Sequence, residues 1–413
     1  MKRNLLALAI ATLGTQAAAG TVTIDGADIV IKTKGGFEVK TSDGEYSFKL
    51  GGRVQLDYNS YDGVTNAKTG VISAADAGNT GSDLFFRRTR LSIKGHAGDW
   101  KYGLSYNLDK SGDDSIDSLK VGYTGFGKQL NITAGKQKED FGLEDTGGSK
   151  WITAIERSMP SNAFDTGNNI GIKVHGASDL ITYSLGSYKI DTDSNRDLET
   201  SVTGRFVIRP IYSKDAVLHL GAGFTQRDSD TAFDDFDTRV GVRGGDDGDA
   251  TKFSPQFNSG DGDEMTVYNL EAAYSTGPVH LMAEYFDGEI EAPDTVAGSD
   301  DLNVDGYYFQ AGWIVTGESR SYKKSSGSFD KVKPSGKNGA WEVFARYDSM
   351  DAESGTNISL VGGEDAETLT VGVNWYANSN VKIALNYVKA ETDKKIQGKD
   401  DGDALVGRLQ YTF

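Results

Sequence analysis

Trp100-Lys101-Tyr102-Gly103-Leu104-Ser105-Tyr106-Asn107-Leu108-Asp109 alternates apolar and polar residues without a break. Successive side chains of a strand point to opposite faces, so this stretch has one apolar face and one polar face. Outward from it, the same period runs from Tyr46 to the last residue, Phe413, in about sixteen segments near ten residues long, the length of a tilted strand that crosses a membrane. The segments fall at 45–58, 84–96, 99–109, 116–125, 129–138, 167–176, 180–189, 200–209, 215–227, 264–275, 278–289, 302–317, 339–350, 366–376, 380–391 and 404–413. The links between them are long after odd-numbered segments and short after even-numbered ones, as in 59–83 against 97–98. A closed antiparallel barrel with short periplasmic turns and long extracellular loops produces that rhythm. The link 318–338 breaks it, being long where a short turn is expected. The predicted fold is all-β: a transmembrane antiparallel β-barrel of about sixteen strands.

Composition agrees. Lys2 and Arg3, the apolar run Leu5–Leu13 and Ala17-Ala18-Ala19 read as a secretory signal peptide over residues 1–19. No later segment approaches the length of an apolar membrane helix. Residues 20–44 have weak strand character and read as an N-terminal periplasmic extension, with 45–413 forming the barrel. The chain has 52 glycines, 6 prolines and no cysteine, which suits tightly turned strands and excludes disulfides and thiolate metal sites. The net charge of −17 argues against nucleic acid as a partner.

The strand period also sorts lumen from lipid. Lys49, Arg53, Gln55 and Asp57 share a face opposite Phe48, Leu50, Val54, Leu56 and Tyr58. Arg88, Arg90, Ser92 and Lys94 point in, while Arg87 falls on the outward parity and is expected where the strand gives way to a loop. Arg346, Arg408, Lys120, Lys382 and Arg205 join the lumen set, whose acids are Asp57, Glu271, Glu284 and Glu342. Rows of Arg and Lys in a narrow pore attract anions. No G-x-S-x-G occurs, and Gly122–Lys128 fits a phosphate-loop spacing but is followed by Gln129 instead of Ser or Thr. Four scattered histidines make no metal or catalytic set, so no enzyme activity and no cofactor are expected. A terminal Phe on the last strand resembles the signal read by the outer-membrane barrel assembly machinery.

The stretches DGADIVIKTKGG (25–36), SFKLGGRVQLDY (47–58), FRR (86–88), YTGF (123–126), DFGLE (140–144), SKWITAIER (149–157), TGES (316–319), GAWEVFARYDS (339–349), GVNWYAN (372–378) and LQYTF (409–413) resemble the phosphate-selective porin O and P family. The resemblance implies an outer-membrane barrel, usually a homotrimer, in which inward-folded loops, here 139–166 and 228–263, narrow an anion path for phosphate. It places Arg87 and Arg88 at the constriction arginine pair, Asp117 at its aspartate and Arg157 after the inward loop. Lys32 and Lys34 fall on a periplasmic lysine row, and Arg227, Arg239 and Arg243 on an extracellular arginine row. Asp145 stands where the family's phosphate site has a lysine, with Lys150 as a neighbouring substitute. An ionised carboxylate there opposes an anion by roughly 4 kcal/mol per unit charge at about 4 Å. General anion passage is thus expected before phosphate specificity. A general, weakly cation-selective porin is the alternative, drawn from Asp145 and the acidic loops.

Overall fold

The computed structural model describes residues 20–24, 27–33, 36–63, 81–190, 199–228, 236–243, 252–253, 256–257, 264–291, 301–353, 358–359, 364–396 and 399–413. Sixteen strands form the barrel: Tyr46–Asp62, Gly81–Ala97, Trp100–Asn107, Ile116–Tyr123, Asn131–Lys138, Asn168–Ala177, Ile181–Lys189, Thr200–Tyr212, Ala216–Asp228, Glu264–Thr276, Val279–Ile290, Leu302–Ile314, Ala340–Glu353, Asp365–Tyr376, Val381–Ile396 and Lys399–Thr412. Each pairs antiparallel with the next, and the last returns to the first from Asp403↔Asp62 to Thr412↔Arg53. Closure pairs both edges, so the wall presents no open strand edge. Each strand matches one expected segment.

Burial is inverted relative to a water-soluble protein. Leu84 and Phe86 are 64% and 61% exposed on the outside, whereas Gln55, Glu342 and Asn374 are fully buried within. The apolar face points outward, and much of the polar face is covered by protein packed into the lumen. Phe413 is seated by backbone hydrogen bonds in both directions with Gly52, whose missing side chain leaves room for the terminal ring.

One correction concerns Arg87. The register of the first two barrel strands runs through Gln55↔Arg88 and then Leu56↔Phe86, so Arg87 is the extra residue of a β-bulge. A bulge shifts the side-chain parity by one residue. Leu84 and Phe86 point out on one side of it and Leu91 on the other, and Arg87 turns inward beside Arg88.

Two insertions enter the barrel from opposite ends. Residues 139–166 carry short helices at Leu143–Thr146 and Met159–Ala163, the second begun by Ser158, whose side chain accepts from the Ser161 N–H. The long link after Ile314 is the other insertion. It forms a hairpin, Arg320–Lys323 against Ser328–Val332, whose tip reaches Arg205 through the carbonyls of Ser326 and Gly327. Phe329 packs with Leu143, Met282 and Tyr308, so the hairpin touches the first insertion inside the lumen. That explains a long connection at the short-turn end.

Residues 20–41 add three strands, Gly20–Ile24, Ala27–Lys32 and Phe37–Thr41, paired in sequence and joined to the barrel where Phe37–Lys40 lie against Ser47–Leu50.

Candidate functional site

The strands from Glu264 to Thr412 hold the inserted loop by its backbone. Glu284 accepts from the N–H groups of Leu143 and Glu144 at 2.6 and 3.0 Å. Arg346 donates to the Glu156 and Arg157 carbonyls, Arg408 to Ile155, Lys382 to Ile152 and Thr153, Asn374 to Thr153, and Gln410 to Lys150. These inward polar side chains therefore serve as loop anchors. Arg408 is also paired with Asp57, Arg205 with Glu271, and Arg346 with Asp348 and Glu144. Much of the positive charge read from the lumen face is thus compensated on this side.

The opposite wall is open. A cavity of about 600 Å³ is lined by Arg53, Arg90, Lys94, Lys101, Asp117, Lys120, Asp140, Lys150, Lys173 and Lys323, with Ser92, Ser105, Ser118 and Thr133 between them. A second cavity of about 530 Å³ shares Lys101, Asn131, His175, Lys323 and Ser325 with it and continues toward the turn end past Lys128 and Lys324. Both acids of the first cavity are occupied: Asp117 pairs with Arg90 at 2.8 Å and Asp140 with Lys173 at 2.8 Å. Arg53, Lys94, Lys120, Lys150 and Lys323 have no ion-pair partner among the described residues. Arg53 donates to Ser149 at 2.9 Å and Lys150 sits over the Trp151 ring. Burial, then Lys94 and Arg53, pushes the Lys150 ammonium down to about 8.

The constriction residues named from the sequence divide into two kinds. Arg88 contacts only the Gln55 amide oxygen, at 3.4 Å, and carries no carboxylate partner among the described residues. Arg87 instead grips Glu156, which Arg408 also reaches at 3.2 Å. Against the cost of burial, Arg87 and Arg408 hold the Glu156 carboxyl well below its ordinary range. Arg157 pairs with Asp145 and Asp165, each at 2.6 Å.

Asp145 differs from the expectation of an uncompensated negative charge. Its carboxylate is buried and receives Lys138 Nζ and Arg157 Nη2, both at 2.6 Å. Lys138 stands seven residues earlier, at the end of its strand, where nothing in the local pattern linked it to Asp145. Burial pushes the Asp145 carboxyl up and Arg157 opposes this.

The outer arginines serve the loop. Arg227 lies 3.8 Å from Glu139 and donates to the Thr166 carbonyl, and Arg239 donates to Asn162 at 3.4 Å. The Arg243 carbonyl accepts from Asn59. The described part of 228–263 packs on the inserted loop through Phe236, Val240, Val242 and Phe253. Lys32 is exposed on the extension, opposite Glu38, and Lys34 lies outside the described residues.

Sixteen closed strands, an apolar exterior and a charged path past an inserted loop define an outer-membrane porin. A family model for phosphate-selective porin O and P matches residues 48–413. Porin O of Pseudomonas aeruginosa is 42% identical over 99% of this chain and 98% of its own length. An uncharacterized protein of Caulobacter vibrioides is 25% identical over 83% of this chain and 68% of its own. The chain belongs to the phosphate-selective porin O and P family, in the bacterial outer membrane. Solved structures share the fold at low identity. They include the anion-selective porin of Comamonas acidovorans (14% identity, TM-score 0.56, 89% of this chain and 100% of that one) and the channel DcaP of Acinetobacter baumannii (12%, TM-score 0.53, 91% and 99%).

Proposed function

We propose that this porin passes small anions, phosphate or related oxyanions, by passive diffusion along the wall formed by residues 46–177. The observation that carries this reading is the set of cations lining the first cavity without an ion-pair partner among the described residues, Arg53, Lys94, Lys120, Lys150 and Lys323, against acids that are already paired. Fixed unpaired charge in a low-dielectric path concentrates counter-ions and repels co-ions. Arg90 with Asp117, and Arg87 and Arg157 with their carboxylates, shape the narrow region. Arg227, Arg239 and Arg243 guide anions from outside, and Lys32 and Lys34 lead them to the periplasm. Phosphate is favoured by the family's description and by the several cations that line one cavity, among them Arg53, Lys94, Lys120 and Lys150.

The barrel assembles as a homotrimer in outer-membrane lipid, its terminal Phe413 read by the assembly machinery, with residues 1–19 removed as a leader and 20–44 on the periplasmic side. Reversal potentials across planar bilayers in a KCl gradient test the reading. A chloride-selective sign and block of that current by phosphate are expected, and a potassium-selective sign overturns it.

A further inference from the structure

The hairpin of Arg320–Lys323 against Ser328–Val332 is pinned to the wall through a buried histidine. His219 is fully enclosed, with Nε2 2.8 Å from Glu271 Oε2 and Nδ1 2.6 Å from the Tyr322 hydroxyl. A carboxylate only accepts, so Nε2 carries the proton of the neutral ring, and the bare Nδ1 accepts from Tyr322. One imidazole thus ties a wall strand to the hairpin, and it does so only while Nδ1 is unprotonated.

The surroundings decide what an added proton does. Strand Thr200–Tyr212 brings Arg205 and Arg209 to this group, and strand Glu264–Thr276 brings Glu271, with Glu284 opposite it on the next strand. Arg205 already takes both oxygens of Glu271, each at 2.6 Å. Glu284 is occupied by the backbone of the inserted loop. Arg209 sits over the Tyr322 ring at 5.8 Å, offers donors only, and bonds to the Asp179 and Ser178 carbonyls and the Thr182 hydroxyl. The inward neighbours of His219 on its own strand, Val217 and Gly221, carry no charge. A proton on Nδ1 therefore adds a third cation beside Arg205 and Arg209, where Glu271 is already paired. It also turns two donors, Nδ1–H and the Tyr322 hydroxyl, toward each other.

The hairpin tip carries that change to the pore. Lys323 and Ser325 line both cavities, and Tyr322 lines the second, which gives protons from the turn-end solution a route to the ring.

We propose that His219 and Tyr322 form an acid-sensitive latch: protonating His219 expels the Tyr322 hydroxyl, frees the hairpin tip and widens the turn-end mouth of the pore. The inference goes beyond the anion-channel reading, since it concerns the width of the path, whichever ion the path carries.

The test is single-channel conductance of the full-length protein in planar bilayers, in KCl without phosphate, from about pH 7 to about pH 5, where histidine takes its charge. In the parent, a higher-conductance level should become at least about fivefold more occupied at the acid end. His219→Gln keeps a donor for Glu271 and an acceptor for Tyr322 but takes no proton, so it should hold the lower level throughout. Tyr322→Phe lacks the latch and should show the higher level already at about pH 7, with no acid response. If His219→Gln fails to assemble into a heat-modifiable barrel, Tyr322→Phe carries the test by its loss of pH dependence. A flat parent, or an acid response that survives in either variant, overturns the latch. So does a response that is lost in His175→Gln instead, which would assign it to the histidine at the cavity wall. Reversal potentials on the same membranes keep the two readings apart. Chloride selectivity with a flat conductance sinks only the latch, whereas potassium selectivity of the parent sinks the anion channel.

Discussion

Arg87 closes a two-point ion pair on Glu156, with Nε 3.0 Å from Oε1 and Nη2 3.2 Å from Oε2. The pair bridges a wall strand and the inserted loop, and Arg408 binds the same carboxylate from the far side of the barrel seam. Removing the shared partner leaves the Arg87 guanidinium without a carboxylate, while Arg408 keeps Asp57. Glu156→Gln should therefore lower stability by about 3 kcal/mol, within the range for breaking one partner of a buried pair. Urea unfolding of the variant in detergent micelles measures this, and a midpoint equal to the parent's would contradict the bracing role.

Paired and unpaired arginines should behave differently in transport. Arg53→Gln and Arg88→Gln each delete a charge with no direct ion-pair partner among the described residues. Each should reduce chloride-over-potassium selectivity markedly. Arg87→Gln deletes a charge already matched by Glu156, so its selectivity should change less and its stability more. Reversal potentials and unfolding midpoints for the three variants check the ordering.

The hairpin at 320–332 is predicted to limit conductance. It is held by Arg205, by Thr182 donating to the Lys324 carbonyl, by the Tyr322–His219 contact at 2.6 Å, and by Arg320 bonding to Thr153 and Trp151. Replacing Ser321–Lys331 by a short Gly-Ser turn should raise single-channel conductance severalfold while the barrel still assembles. It should also loosen the loop at Trp151, which appears as added current noise. Unchanged conductance would mean that the hairpin lies beside the ion path without narrowing it.

How far the sequence carried these conclusions depended on the range of each interaction. The barrel was legible because its period is local and repeats sixteen times, so errors at single strand ends did not accumulate. Even the bulge left a trace: Leu84 and Phe86 occupy even positions, Leu91 and Ile93 odd ones, and the parity must change between them. The site was less legible because its charges are set by pairs that cross the lumen. Asp57 and Arg408 are separated by 351 positions, and no periodicity joins them. Asp145 drew notice as an unexpected residue, but its neutralisation by Lys138 depends on how the loop folds back over its own strand. The hairpin could be seen only as an anomalous length.

Lys150 gives the channel a pH dependence within reach of experiment. It lies on the inserted loop at the cavity wall, where burial and the neighbouring Lys94, Arg53 and Lys323 disfavour its charged form and Asp330 opposes them weakly. Its ordinary value of 10.5 falls to about 8. The ammonium is therefore charged below that value and is lost as pH rises through it. Anion selectivity should be full at about pH 6.5 and decline toward about pH 9, a window in which an unperturbed lysine does not titrate. Chloride must be the reporter ion, because phosphate changes its own charge nearby. Lys150→Arg, which stays protonated, should keep more of the selectivity across the window. Lys150→Gln should start lower and lose part of the decline. A parent channel whose chloride selectivity is flat from about pH 6.5 to 9 would remove Lys150 from the ion path.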